Sequence, residues 1–168
     1  MRLLDAASRG DETRAREALA HDASLPGSLT PTDHAQLAFA IFHGRFDAAD
    51  LMLRLGFDPI AGGVDGGSAL HAAAWMGHVG LVEQLLARGD VGIESRDPTH
   101  GSTPLGWAAF GSVHRRAKKG DYVGVIDRLV AAGANIGVPG NGGNETYLGM
   151  AEGNDEVQQA LRRHGARA

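Results

Sequence analysis

The stretch from Asp65 to Asp97 constrains the fold most, because it contains one complete two-helix unit together with its turns. Gly66-Gly67 allows a tight turn, since glycine adopts a positive φ at little cost. Ser68 is well placed to accept hydrogen bonds from the first N–H groups of a helix. Residues 70–75 predict a short, alanine-rich helix, and Gly77 is placed to end it.

A second helix follows, and it is amphipathic. Leu81, Val82, Leu85 and Leu86 share one helical face. Gly89 ends this helix, and a short return through Ile93 leads to the next turn. Such a unit buries only one face by itself, so it needs similar units beside it.

Similar units are present at a constant spacing. Leu37 and Leu70 are 33 residues apart, and so are Gly44 and Gly77. Turn, helix and helix at this period are typical of ankyrin repeats. Several segments resemble ankyrin motifs. The Thr-Pro-Leu-His box of the family resembles Ser68-Ala69-Leu70-His71 and Thr103-Pro104-Leu105-Gly106, and its paired alanines resemble Ala73-Ala74 and Ala108-Ala109. Its Gly-His turn resembles Gly77-His78, and its closing segment resembles both Leu85-Leu86 with Gly89 and Leu129-Val130 with Gly133-Ala134.

The resemblance implies an all-α ankyrin-repeat solenoid that forms a single domain over residues 1–168. We expect about five helix-turn-helix units, at approximately 1–28, 31–60, 65–97, 98–137 with an insertion at 112–119, and 145–168. The first and last units are polar on the outside, as the ends of a repeat stack must be. In the second unit Ala35-Gln36-Leu37-Ala38 replaces the family box. Thr32 or Asp33 is the expected cap there, and the helix start should be less well fixed.

Composition excludes several classes of protein. The chain has no cysteine, which excludes a disulfide framework and a cysteine-containing zinc site. No apolar run approaches about 20 residues, so no membrane span is expected. The N-terminal charges argue against a secretory signal, and the net charge of −4 argues against general nucleic-acid binding. The expected location is cytoplasmic, and abundant Ala, Gly and Arg suggest a bacterial source.

The resemblance also implies that partners meet a concave surface built from the turn tips and the ends of the first helices. The matching positions are Phe42-His43, Trp75-Met76 and Phe110. Three aromatic residues therefore recur at one place in three units. They either form a hydrophobic binding ladder or pack on neighbouring units and under the insertion. Phe39 and Trp107, one helical turn earlier, are expected in the core.

The insertion at 112–119 carries a local positive charge. Its basic residues are His114, Arg115, Arg116, Lys118 and Lys119, which give +4 with histidine neutral and leave −8 on the rest of the chain. Such a segment can bind an acidic or phosphorylated partner. It can also be a solvated loop, or fold onto the acidic surface of the chain itself.

Polar residues at successive turns form a second candidate group. Asp65, Asp97 and His100 are expected to make a polar rim beside the aromatic residues, and acid–base chemistry is an alternative. His71 and His78 match structural histidines of the family. No recognised metal-ligand spacing, phosphate-binding loop or nucleophile elbow occurs, so no metal, cofactor or catalytic residue is expected.

These observations favour a non-enzymatic module that binds a partner protein through its concave face. The alternative is a small-molecule-binding or catalytic protein, in which the insertion closes a pocket lined by Trp75, Trp107, Phe110 and Tyr122. A subunit that inhibits a neighbouring enzyme is a third possibility. A monomer is favoured, and the identity of the partner cannot be read from the sequence.

Overall fold

The structure, a computed structural model, describes residues 3–89, 91–115 and 119–167. These residues fold into ten α-helices with no strand among them. The helices are α1 Leu3–Ser8, α2 Glu12–His21, α3 Pro31–Phe42, α4 Phe46–Arg54, α5 Ala69–Met76, α6 Val79–Leu86, α7 Pro104–His114, α8 Tyr122–Ala131, α9 Tyr147–Met150 and α10 Asp155–Arg163. Short 3-10 turns occur at Leu25–Ser28 and Val64–Gly66.

The helices are arranged as antiparallel pairs that stack in chain order. Helices α1, α3, α5, α7 and α9 contact one another in sequence and form one layer, while α6, α8 and α10 pack in the layer behind them. One leucine from each of four successive first helices lies in the core: Leu37, Leu70, Leu105 and Leu148. The fold class expected from the sequence is confirmed, whereas the division into the five numbered units stays a prediction.

Small side chains bring the first helices close together. Ala72, Ala73 and Ala74 of α5 are buried, and α5 packs directly between α3 and α7. Gly77 ends α5 in the left-handed conformation with φ of 63°. The ends of α3, α5 and α7 therefore lie side by side, which sets the position of the candidate site.

The start of α3 differs from the expectation. Thr30, and not Thr32 or Asp33, is its N-cap. Thr30 and Asp33 form a reciprocal capping box, and Pro31 occupies the first turn, where its missing N–H is not needed. The expectation of a poorly fixed helix start is therefore wrong.

The insertion also begins differently from the expectation. Helix α7 continues past Phe110 to His114, so the first residues of the 112–119 segment are helical. Gly111 and Ser112 are buried, and the Ser112 hydroxyl donates to the Ala109 carbonyl. Arg116 and Lys118 lie outside the described residues.

Candidate functional site

Three aromatic side chains stack in a row across α3, α5 and α7. The ring centroids of Phe42 and Trp75 are 6.0 Å apart at 13°, and those of Trp75 and Phe110 are 6.4 Å apart at 30°. These separations lie within the range in which aromatic pairs attract. Phe42 and Trp75 are half-buried and Phe110 is 40% exposed. We call Phe42, Trp75 and Phe110 the aromatic row; its rings pack on one another and still reach solvent.

Trp107 stands at a right angle to the row. Its ring meets Phe42 at 6.4 Å and 75°, and Trp75 at 6.3 Å and 77°. The side chain is only 7% exposed, which agrees with the expected core position. Phe39, in contrast, is half-buried. The Trp107 indole Nε1 donates to Asp97 Oδ2 at 2.8 Å, so the orientation of the ring is fixed by a hydrogen bond.

Asp97 is not the exposed rim residue that the sequence suggested. It is 2% exposed, and its carboxylate accepts four N–H groups. Oδ1 accepts from the backbone of Thr99 and His100 at 3.0 and 2.6 Å; Oδ2 accepts from the backbone of Ser102 at 3.1 Å and from Trp107. Burial by itself raises the pKa of Asp97, but these hydrogen bonds outweigh burial, so the pKa is below its usual value.

A cleft of about 360 Å³ opens beside the aromatic row. One side consists of the row and Trp107, and the other consists of turn residues together with Met150 of α9. The lining residues are Phe42, Asp65, Trp75, His100, Ser102, Trp107, Phe110, Asn141 and Met150. Asp65 and His100 thus lie next to the aromatic residues, as the sequence suggested, while Asp97 lies below the surface.

Hydrogen bonds hold the turn side of the cleft together. Thr99 Oγ1 donates to the Asp65 carbonyl at 3.0 Å, and the Gly142 N–H donates to the His100 carbonyl at 2.9 Å. The Ser102 hydroxyl donates to the Gly140 carbonyl at 2.8 Å. Three successive turns are therefore joined into one wall. Ser102, Asn141 and Met150 were missed in the sequence, although Asn141 sits at the turn after that of His100.

Two other residues proposed for partner contact differ in accessibility. His43 is exposed and its ring meets Phe42 edge-on at 5.7 Å. Met76 is 8% exposed, so the expectation that it contacts a partner directly is wrong. The Met76 side chain lies near the turn at Gly44, since a Cβ at Gly44 would stand 3.7 Å from Met76 Cε.

The segment after α7 caps the C-terminal end of α5. Arg115 Nη1 donates to the Met76 carbonyl at 3.2 Å, and Tyr122 Oη donates to the Trp75 carbonyl at 2.9 Å. The Asp121 N–H donates to the Gly77 carbonyl at 2.9 Å. Helix ends leave such carbonyls without intrahelical partners. Arg115 therefore has a structural contact within the chain.

Tyr122 does not line the cleft. Burial raises the pKa of its phenol, and the nearby Arg115 guanidinium opposes the change. Among the insertion residues that the structure describes, none lines the cleft. His114 stacks on Phe110 at 4.0 Å between ring centroids, and Lys119 is exposed.

The two family-type histidines have structural contacts. His71 Nδ1 accepts from the Ser68 N–H at 3.1 Å, which leaves Nε2 to donate to the Ser102 carbonyl at 3.1 Å. Burial lowers the pKa of His71 below its usual 6.5, while the bond to Ser102 opposes the change. His78 Nδ1 accepts from the Leu81 N–H at the start of α6. Both histidines thus fix local backbone.

Residues 3–89, 91–115 and 119–167 lack two other kinds of functional feature. No group of three or more acidic or histidine side chains is placed to hold a metal ion there. Across the same residues, no helix combines the length and the apolar character needed to cross a membrane.

Comparison with known proteins agrees with this architecture. Residues 65–97 match the ankyrin repeat family model. A segment of 74 residues is 38% identical to Protein PhlB of Serratia liquefaciens; it covers 44% of this chain and 32% of that protein. The match thus spans about a third of the length of the relative. The chain carries an ankyrin repeat and folds as an ankyrin-type helical solenoid, a fold that indicates a protein-interaction module.

Proposed function

We propose that this chain is a non-enzymatic module that binds a partner protein through the aromatic row and the adjoining cleft. The observation that carries the proposal is the continuous stack of Phe42, Trp75 and Phe110, which ends in a ring that is 40% exposed. Core packing is already provided by a buried leucine in each first helix. Partly exposed aromatic side chains in a rigid setting are typical anchors of protein interfaces.

The surface is preorganised, which favours binding. Trp75 is held between two rings, and Trp107 is held by Asp97. Side chains that are already fixed lose little conformational entropy when a partner binds. We therefore expect rigid-surface recognition at this face, with little change in the helices.

Not every cation of the basic segment is free to contribute to the proposed interface. Arg115 is hydrogen-bonded to the end of α5, so it is less available to a partner. Lys119 is exposed, and it is the described cation of this segment that we propose for contact with an acidic group.

The cleft supports a second candidate function, which is binding of a small molecule. Its volume of about 360 Å³ is near the lower limit for small-molecule sites, and polar groups meet apolar rings there. None of the described insertion residues lines the cleft. The aromatic row continues beyond the cleft to the exposed ring of Phe110, which favours a protein segment over a small ligand.

The test compares two exposed hydrophobic residues. Phe110→Ala removes the exposed end of the row, and Ile60→Ala removes an exposed side chain that does not line the cleft. The wild-type protein is used to retain a partner from an extract of the source organism, and its affinity is then measured by calorimetry. We expect Phe110→Ala to weaken binding by about 2 kcal/mol or more, about 30-fold, and Ile60→Ala to bind like the wild type.

Phe110 is a better probe than Trp75 because it can be removed with little loss of stability. Trp75 contacts three aromatic rings and lies against Gly111, so truncating it costs about 3 kcal/mol or more of folding stability. Circular dichroism checks that both variants are folded. Equal affinities for the wild type and both variants would contradict the proposal, and so would the absence of any retained partner.

A further inference from the structure

The cleft lies beside two carboxylates that have no full cationic partner. Asp97 is buried next to it and is satisfied by four N–H groups, and no lysine, arginine or histidine of the described residues forms an ion pair with it. Arg96 lies nearby, but its guanidinium donates to the carbonyls of Gly101 and Pro139 at 2.6 and 2.8 Å. Neither carboxylate therefore has an arginine or lysine partner in the described part of the chain.

Asp65 presents its carboxylate at the mouth of the cleft. Its backbone is fixed in the left-handed region, with φ of 51°, and the Asp65 carbonyl accepts from Thr99 Oγ1. Its Oδ2 lies 3.4 Å from His100 Nε2, a long contact. The other oxygen, Oδ1, accepts no hydrogen bond from the described part of the chain. The turn is held rigidly while the carboxylate keeps its capacity to bind a donor.

The aromatic side of the cleft is suited to a cation. The faces of tryptophan rings attract cations within about 6 Å, and both Trp75 and Trp107 line the cleft. The Trp107 N–H donates to the negatively charged Asp97 carboxylate, which pushes electron density towards the indole ring. This hydrogen bond increases the attraction between the ring and a positive charge.

We infer that the cleft receives an arginine side chain of the partner protein; this inference rests on the proposed function. The guanidinium packs against the aromatic residues that line the cleft, and its N–H groups donate to the Asp65 carboxylate. Lysine has no flat face and no paired donors, so it fits this combination less well. A volume of about 360 Å³ leaves room for one long side chain. The charge of −8 outside the basic segment favours a cationic partner here.

The experiment uses three short peptides and the two indole signals of the full-length protein. The probes are acetyl-Gly-Arg-Gly-amide, its citrulline counterpart, which is neutral and has almost the same shape, and its lysine counterpart. The chain contains two tryptophans and both line the cleft, so their indole N–H resonances report binding there. We expect the arginine peptide to shift them saturably with a Kd of about 1–10 mM, and the other two to bind about tenfold more weakly.

Matched charge variants test the role of Asp65. Asp65→Asn keeps the shape of the side chain and removes its charge, and asparagine tolerates the left-handed conformation. Glu17→Gln makes the same change in net charge at an exposed position on α2 that does not line the cleft. We expect Asp65→Asn to weaken the arginine peptide about tenfold and Glu17→Gln to leave its affinity unchanged.

With the peptides, three outcomes would overturn the inference: no saturable shift with arginine up to about 100 mM, equal affinity for citrulline, or equal affinity for lysine. Equal loss in both charge variants would show that only net charge matters, and would also overturn it. The Phe110→Ala experiment separates this failure from failure of the proposed function. If partner binding depends on Phe110 but arginine is not selected, the interface stands and the arginine assignment falls.

Discussion

Replacing Asp97 by Asn should destabilise the fold far more than the same replacement at Asp65. The Asp97 carboxylate uses both oxygens, each of which accepts two N–H groups. An asparagine amide keeps one oxygen and turns an NH₂ group towards the other two donors. Two hydrogen bonds are then lost whichever way the amide is oriented.

The magnitude depends on which donors lose their acceptor. The Ser102 N–H and the Trp107 indole belong to buried residues, whereas Thr99 and His100 are exposed. The amide will face the exposed pair, where water replaces part of the loss. An unsatisfied buried donor costs about 1–3 kcal/mol and a partly solvated one less, so we expect about 2–3 kcal/mol in total. For a chain of this length, that lowers Tm by about 4–12 °C.

The assay is thermal and urea unfolding followed by circular dichroism at neutral pH. Asp65→Asn is the control, because Asp65 is exposed and makes one long contact; its effect should stay within about 0.5 kcal/mol. Equal stability of the two variants would refute the argument.

The pKa of folded Asp97 lies below its usual 3.8, so its stabilisation is present above that pH and is lost as the pH falls through the folded pKa. The difference in free energy of unfolding between the wild type and Asp97→Asn should therefore become smaller at acidic pH.

Two further predictions concern stability. Gly106→Ala should destabilise the fold by about 1–3 kcal/mol, because the new Cβ would meet the Gly140 carbonyl oxygen at 2.5 Å. Gly149→Ala in α9 should stabilise the fold by about 0.5–1 kcal/mol, because the nearest contact of its new Cβ is 3.4 Å away. Urea unfolding that gives changes of the same sign for both variants would contradict this. Folded His71 has a pKa below 6.5, so the unfolded state binds more protons, and the free energy of unfolding should fall as the pH drops below 6.5, by at most about 1.4 kcal/mol per pH unit. His71→Gln should lack this part of the pH dependence, and an unchanged slope would show that other groups cause it.

The sequence predicted features that depend on spacing. Equal separations of 33 residues placed Leu37 and Leu70 at equivalent core positions, and residue type at helix ends predicted the left-handed Gly77. The same spacing placed Phe42 and Trp75 side by side, where they stack. These features follow from local pattern and from repetition, both of which are visible in a single sequence.

Features that depend on contacts between units could not be predicted in this way. Asp97 looked like a turn-tip residue, but its carboxylate is buried and accepts a hydrogen bond from the indole of Trp107. The extension of α7 through Gly111 goes against the low helix propensity of glycine. Packing explains why this position is glycine, since a Cβ at Gly111 would lie 2.9 Å from the Trp75 carbonyl oxygen. Asn141 and Met150 reach the cleft from the following turn and helix, and no local motif marks them.

The capping of α5 by the segment after α7 has a consequence for the order in which the chain opens. In a linear array each unit is held mainly by its immediate neighbours. Here three carbonyls at the end of α5 are bound by Arg115, Asp121 and Tyr122, so α5 cannot fray at that end unless the start of α8 is released too. These two helices should behave as one cooperative unit in amide hydrogen exchange. Arg115 and Asp121, which lie between α7 and α8, thus join adjacent parts of the stack.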